Sequence, residues 1–200
     1  VTYFAYGEGE KPKIYGSPEN YAENNTWKEV LPNIWQIEFS YPCVCGCVID
    51  HSRIVGVLKL STKALQVNGH YWHDVENNVF YLYCDEGKPS DAWTDIEIMP
   101  TLTLLTTKNG QDLVIDNLCL KYTAGFALSA VFFKTNFILT NCEFGFLGGK
   151  WYGKEKGKLR YGNALEVWGG LPNLCVDGFL VQNNWFYQTY DSALTWQGNM

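Results

Sequence analysis

The sequence predicts an all-β chain: a β-solenoid of stacked coils, with a small β-rich insert near the N-terminus. Three observations predict it. Long helical periodicity is missing, and short apolar or alternating runs are parted by Gly, Asn, Asp and Pro. The part after residue 111 repeats itself, whereas residues 26–99 do not. The 200 residues are 46% hydrophobic and 16% aromatic with 19 glycines, which suits one sizeable β-rich core and not a disordered chain.

Taken in order, residues 1–25 read as the first strands of the solenoid: "VTYFAYG", a "GEGEKP" turn, then "KIYG". Residues 26–99 read as the insert. Its candidate strands are "TWKEV", "NIWQIEF", "RIVGVLKL", "ALQVNG", "NVFYLYC" and "TDIEIM", with "HDVENN" turning between "HYW" and "VFYLYC". Within it, "CVCGCVID" sets Cys43, Cys45 and Cys47 at period two, hence on one face of a strand. The other four cysteines, 84, 119, 142 and 175, follow no framework spacing, and no second ligand pair completes a zinc pattern. Buried small side chains are expected there. His70 and His73 flank "YW" beside Asp74 and read as a hairpin end, and Asn24 begins an N-x-T sequon.

Residues 100–200 carry the repeat. Aligning "DLVIDNLCLKYTA" from 112, "NFILTNCEFGFLG" from 136 and "FLVQNNWFYQTYD" from 179 puts Asn117, Asn141 and Asn184 in one column. Leu113, Phe137 and Leu180 form a second, Val114, Ile138 and Val181 a third, and Leu120, Phe144 and Tyr187 a fourth. In this alignment Asp116, Thr140 and Asn183 make a turn column. "FALSAV", "NALEVW" and "SALTWQ" superpose on their Ala-Leu pairs, stacking Ala127, Ala164 and Ala193, then Leu128, Leu165 and Leu194. A strand-and-turn period in the twenties means a solenoid. One coil cannot close a core. Stacking at ~4.8 Å turns apolar columns into a continuous one, and a corner Asn can donate to one neighbour and accept from the other.

"VTYFAYGEGEKPKIYGS", "W…NIW", "GHYWHDVENNVFYLYCDEGKPSDAWTDIEI" and the Asn-column coils together resemble the right-handed parallel β-helix proteins of the pectate-lyase-like superfamily. The resemblance is to a carbohydrate-active, glycosidase-type branch in which a β-rich insert interrupts the first coils. It implies a right-handed parallel β-helix, an extracellular or periplasmic place, and an enzyme site on the outside of one sheet, flanked by long loops. The superfamily also holds lyases, esterases and adhesins, so the fold alone does not choose the chemistry. The chain opens and closes on strands, and a fragment of a longer protein is expected.

The candidate chemistry lies on the outward residues of the repeat. With Leu165 and Val167 inward, Glu166 and Trp168 point outward, in a column reading Ser129, Glu166, Thr195. Asp191 stands just before the last strand, and Glu143 is a third, more structural, carboxylate. Glycoside hydrolysis needs two carboxylates about 5–5.5 Å apart for retention or 6.5–9.5 Å for inversion. A straight path would part Glu166 and Asp191 by more than ~13 Å, and a bend would shorten it. The two are the expected catalytic pair, with a solvated Glu166 and a turn-capping Asp191 as the plain alternatives. The loop 148–163 holds Lys150, Lys154, Lys156, Lys158 and Arg160 with Trp151, Tyr152 and Tyr161 interleaved, opposed only by Glu155. Trp151, Tyr152, Trp168, Tyr190, Trp196 and Arg160 are the expected sugar-binding set.

The expected function is therefore a glycoside hydrolase on a plant-type or host polysaccharide or oligosaccharide. A polysaccharide lyase on a uronate glycan and a non-catalytic glycan-binding or adhesin-like module are the alternatives. No cofactor is expected, with Ca²⁺ entering only in the lyase case. A net charge of −6 argues against a nucleic-acid partner. No run reaches the ~18 apolar residues of a membrane span. A monomer is expected. No nucleophile-elbow, P-loop, zincin or dinucleotide motif occurs.

Overall fold

The computed structural model describes residues 1–151, 160–169 and 177–197. Among them the only helical pieces are a 3-10 turn, Thr62–Ala64, and one α-turn, Pro89–Ala92. Among the described residues no helix is long and apolar enough to cross a membrane. The chain divides into two units, Val1–Tyr15 with Thr103 onward, and Gly16–Leu102.

Among the described residues the first unit holds three parallel sheets and one two-stranded antiparallel hairpin. The first holds Thr2–Phe4, Leu113–Asp116, Thr135–Thr140 and Asp177–Gln182. The second holds Lys13–Tyr15, Cys119–Thr123, Glu143–Leu147 and Trp185–Thr189. The third holds Leu105–Lys108, Leu128–Val131, Leu165–Trp168 and Leu194–Gln197. The chain visits first, second and third sheet in that order on every pass. The Gly16–Leu102 unit is inserted in sequence between the second and third strands of the first pass.

Like residues stack on like. Leu105, Leu128, Leu165 and Leu194 are register partners on the third sheet, and Leu128 and Leu165 are fully enclosed. Ile14, Leu120, Phe144 and Phe186 stack on the second, where the Phe144 and Phe186 rings are 4.7 Å apart and nearly parallel. Each such side chain contributes roughly 1.5–3 kcal/mol by leaving water, and together they form one core.

The corners explain the recurring asparagines. Asn117, Asn141 and Asn183 all have left-handed backbone, with φ of 56°, 54° and 56°. Asp112 and Asn136 share such a corner with Gly178, and Tyr122, Phe146 and Gln188 occupy a third. Asn and Asp tolerate this region best after glycine, and their side chains join successive passes. Asn136 Nδ2 donates to Asp112 Oδ1 at 2.6 Å across a sequence separation of 24. Thr140 Oγ1 and Asn141 Nδ2 both donate to Asp116 Oδ1 at 2.7 Å.

One part of the predicted alignment is corrected. The last pass is displaced by one residue: Phe179, not Leu180, pairs with Phe137, and Phe186, not Tyr187, pairs with Phe144. Gln182, not Asn183, pairs with Thr140, and Leu180, not Val181, pairs with Ile138. The corner column is completed by Asn183, whereas Asn184 is a half-buried linker. Its Oδ1 accepts from Cys142 N at 2.8 Å over a separation of 42, and its Nδ2 donates to Leu139 O at 2.8 Å. Burial decides the register, because a one-residue slip exchanges the two faces of a strand. The observed register turns Phe179 and Phe186 toward the core and leaves Leu180 exposed.

The second unit carries a five-stranded sheet ordered Lys28–Leu31, Ile34–Glu38, Val79–Tyr83, His70–Asp74, Val57–Leu58. A three-stranded sheet is ordered Ile96–Pro100, Val44–Ile49, Ile54–Val55. Trp27, Phe39, Tyr71, Phe80, Ile96 and Ile98 lie in its core. The predicted strand "ALQVNG" is not one. His70 N donates to Val67 O at 2.8 Å, Gln66 N donates to His70 Nδ1 at 3.2 Å, and Gly69 has φ 83°, which closes a turn there. His73 is buried and structural: Val44 N donates to its Nδ1 at 3.1 Å, and its Nε2 meets Phe39 O at 3.0 Å. Cys47 and Cys84 are buried thiols whose pKa burial pushes up. The carboxyl of Glu97 is also buried. Burial, against a hydrogen bond from Ser17 and with help from the Asp95 charge, moves its pKa from 4.5 to about 7.

Two outcomes are expected. Phe144→Ala removes a ring enclosed between Leu120 and Phe186 and should cost about 3–5 kcal/mol in urea unfolding. Glu97 binds its proton more tightly folded than unfolded, so its stabilisation is complete below pH 4.5 and disappears as pH rises through about 7. Thermal midpoints should fall across that window, and Glu97→Gln should flatten the fall.

Candidate functional site

Glu166 stands on the strand Leu165–Trp168, between the buried Leu165 and Val167. Alternation therefore turns it to the outer face with Trp168. Its register partners there are Ser129 and Thr195. Two donors hold one of its oxygens: Tyr161 OH donates to Glu166 Oε2, and Asn163 Nδ2 donates to the same atom at 3.4 Å. Asn163 is itself buried, and its Oδ1 accepts from Ser192 N at 3.3 Å. One amide thus ties Glu166 to the turn that carries Asp191. The Asp191 side chain is exposed and, among the described residues, takes no hydrogen bond.

A short hairpin stem, Lys150–Trp151 paired antiparallel with Arg160–Tyr161, brings Tyr161 to this face. Its neck needs glycine. Gly148, Gly149 and Gly162 have φ of 87°, 94° and 149°, and a Cβ on Gly148 would overlap the carbonyl oxygen of Gly162. Gly148 N and Lys150 N donate to Thr123 O at 2.9 Å and Ala124 O at 3.0 Å, fixing the neck to the C-terminal end of the strand Cys119–Thr123.

The hairpin sets two cations on aromatic rings. Lys150 Nζ lies 4.0 Å from the Phe126 ring centre and 5.1 Å from that of Tyr161. Burial pulls its pKa below the ordinary lysine value, against the attraction of Glu166. The Arg160 guanidinium lies 4.6 Å from the Tyr190 ring and 5.4 Å from that of Trp151, while its Nε donates to Gly149 O at 2.7 Å. This makes a Trp151–Arg160–Tyr190 stack with a half-exposed Tyr190 edge.

Of the predicted set, Glu166, Trp168, Trp151, Arg160 and Tyr190 thus belong to this outer face, its hairpin or the neighbouring turn, and Asp191 to that same turn. Trp168 leans on Phe132 with ring centres 6.0 Å apart. Trp196 is different. It pairs with Val167, whose other partner is Ala130, in the inward column and packs on Phe179, so it faces the opposite side of the sheet from Glu166. Tyr152, Lys154, Glu155, Lys156 and Lys158 lie outside the described residues, as does Cys175. Sequence reasoning missed Asn163, although a polar residue immediately before the Ala-Leu pair was a usable signal, and it missed that three glycines form a neck. Concavities of about 620 Å³, lined by Lys28, Glu38 and Asn77 among others, and about 200 Å³, lined by Tyr3, Leu105 and Phe133 among others, include none of the predicted site residues. Among the described residues no group of three His, Cys, Asp or Glu side chains is placed to hold a metal ion.

No family model, curated protein or solved structure matches the chain.

Gly148→Ala should open the neck, at about 1–3 kcal/mol in denaturant unfolding, because it adds both a clash and a strained φ. The accompanying loss of the Tyr161–Glu166 contact should be visible as a changed tyrosine environment in near-ultraviolet circular dichroism.

Proposed function

We propose that this protein is a carbohydrate-active enzyme of the glycoside hydrolase type, that its parallel sheets wind as a right-handed parallel β-helix, and that Glu166 and Asp191 are its carboxylate pair. The observation that carries the reading is the tethering of Glu166. A carboxylate on a regular strand, outward-facing, has two donors on one oxygen, and the asparagine among them also holds the turn bearing a second, exposed carboxylate. An open sheet face suits an extended glycan better than a small enclosed ligand. Trp168 on one side and the Trp151–Arg160–Tyr190 stack on the other supply apolar and hydrogen-bonding surface for sugar rings. The resemblance to β-helix proteins of the pectate-lyase-like superfamily supports the same assignment, as does the repeated visit to three parallel sheets. An extracellular or periplasmic place follows from that reading.

A second reading, a polysaccharide lyase, is favoured by Lys150. A lysine whose pKa is lowered by burial stands closer to the neutral amine that a base requires, and Arg160 beside it could face a uronate carboxylate.

Neutral and uronate polysaccharides separate the two. A hydrolase releases reducing ends without absorbance from an unsaturated product, and Glu166→Gln and Asp191→Asn should each lower its rate about 100-fold or more with unchanged melting. A lyase should generate the unsaturated absorbance and be silenced by Lys150→Arg, because arginine keeps the charge but cannot act as a base. Full rates in both carboxylate variants would refute the hydrolase.

A further inference from the structure

We infer that the outer face of the second sheet carries a separate binding platform for a neutral hexopyranose chain, built from Trp185, Tyr187, Glu143 and Lys121. The inference does not depend on the hydrolase reading, because the strands involved belong to a different sheet from Glu166.

Leu120, Phe144 and Phe186 face the core. Their alternating neighbours therefore face outward, in two columns: Glu143 pairs with Trp185, and Lys121 with Gly145 and Tyr187. These make one patch. The Tyr187 ring lies against Gly145, where a Cβ would overlap it, so the ring is laid down as a floor. Trp185 stands beside it with ring centres 4.6 Å apart, and it is 63% exposed. Exposure of so large a ring on a regular strand keeps an apolar plane in water, the arrangement that a sugar's C–H face covers.

The polar groups are already organised. Lys121 Nζ lies 2.6 Å from Glu143 Oε1, and Tyr187 OH donates to that same oxygen at 2.8 Å. Lys121 Nζ is also 5.5 Å from the Tyr187 ring centre. Among the described residues, Oε2 of Glu143 takes none of these bonds. A fixed carboxylate oxygen next to an aromatic plane can accept from the hydroxyls of a pyranose stacked on the indole. An apolar protein segment would bury the ion pair without replacing its water contacts, which is costly. A uronate would bring a third charge to a lysine already neutralised by Glu143. Hydroxyls without charge fit both constraints.

Affinity electrophoresis of the protein in gels containing hydroxyethyl cellulose, galactomannan or polygalacturonate tests this. At least one neutral polymer should retard the wild-type protein. Trp185→Ala should weaken that retardation about tenfold or more, and Trp185→Phe should retain most of it. Trp185→Ala should weaken retardation by the same factor when introduced into the Glu166→Gln background, which keeps this result distinct from any failure of the hydrolase reading. The platform is overturned if no neutral polymer retards the protein, if Trp185→Ala binds like wild type, or if polygalacturonate alone binds through Trp185.

Discussion

The register of the inward columns is the constraint on which the first unit depends. Parallel strands hydrogen-bond equally well in many alignments, so backbone pairing alone chooses none of them. Burial does. Leu128 above Leu165 and Phe144 against Phe186 are satisfied in one alignment only, and a slip by one residue would send each set into water. Everything outward-facing is placed by that choice. Glu166 reaches the surface because Leu165 and Val167 do not, and Trp185 does because Phe186 does not.

The corners allow long excursions without disturbing this register. Each pass turns at left-handed residues, of which Asn117, Asn141 and Asn183 form one set. The separation is 24 residues between the second and third passes and 42 between the third and fourth, yet the strands on either side still pair column for column. The extra length is confined to connections between strands, where it costs little more than loop closure. The loop 148–163 is one of these excursions. Its glycine neck brings Lys150 and Tyr161 to the Glu166 face with few degrees of freedom left.

The all-β class and the stacked Ala-Leu columns were legible because aliphatic residues recur at fixed places. The register of the last pass was not, because "QNNWFYQ" offers two adjacent asparagines and three adjacent aromatics. Either asparagine completes a plausible column, and the choice rests on which aromatic ring fills the space beside Phe144. That is a three-dimensional criterion. Trp196 does not share that limit: its parity relative to Leu194, countable on the aligned sequence, places it on the inward column, against the sugar-platform expectation. Glu166 and Trp168 were legible because their parity could be counted from Leu165.

The first unit contains the same trio of side chains twice, a lysine, a tyrosine and a glutamate, with opposite electrostatic results. On the second sheet Lys121 touches Glu143 directly. Burial works against its charge, but the hydrogen bonds to Glu143 and Tyr187 prevail and its pKa is raised. That lysine holds its proton throughout the neutral range and serves as a fixed partner of a fixed carboxylate. At the hairpin, the tyrosine rather than the lysine donates to Glu166, and Lys150 rests on the rings of Phe126 and Tyr161. Burial there outweighs the attraction of Glu166, and the lysine pKa is lowered. The difference lies in whether the ammonium joins the tyrosine hydroxyl on the carboxylate oxygen. Where it does, the pair is neutralised, as the proposed platform for an uncharged ligand needs. Where the hydroxyl binds without it, the carboxylate is oriented without a bonded cation and the amine is left closer to deprotonation, which is the asymmetry the proposed acid–base roles draw on.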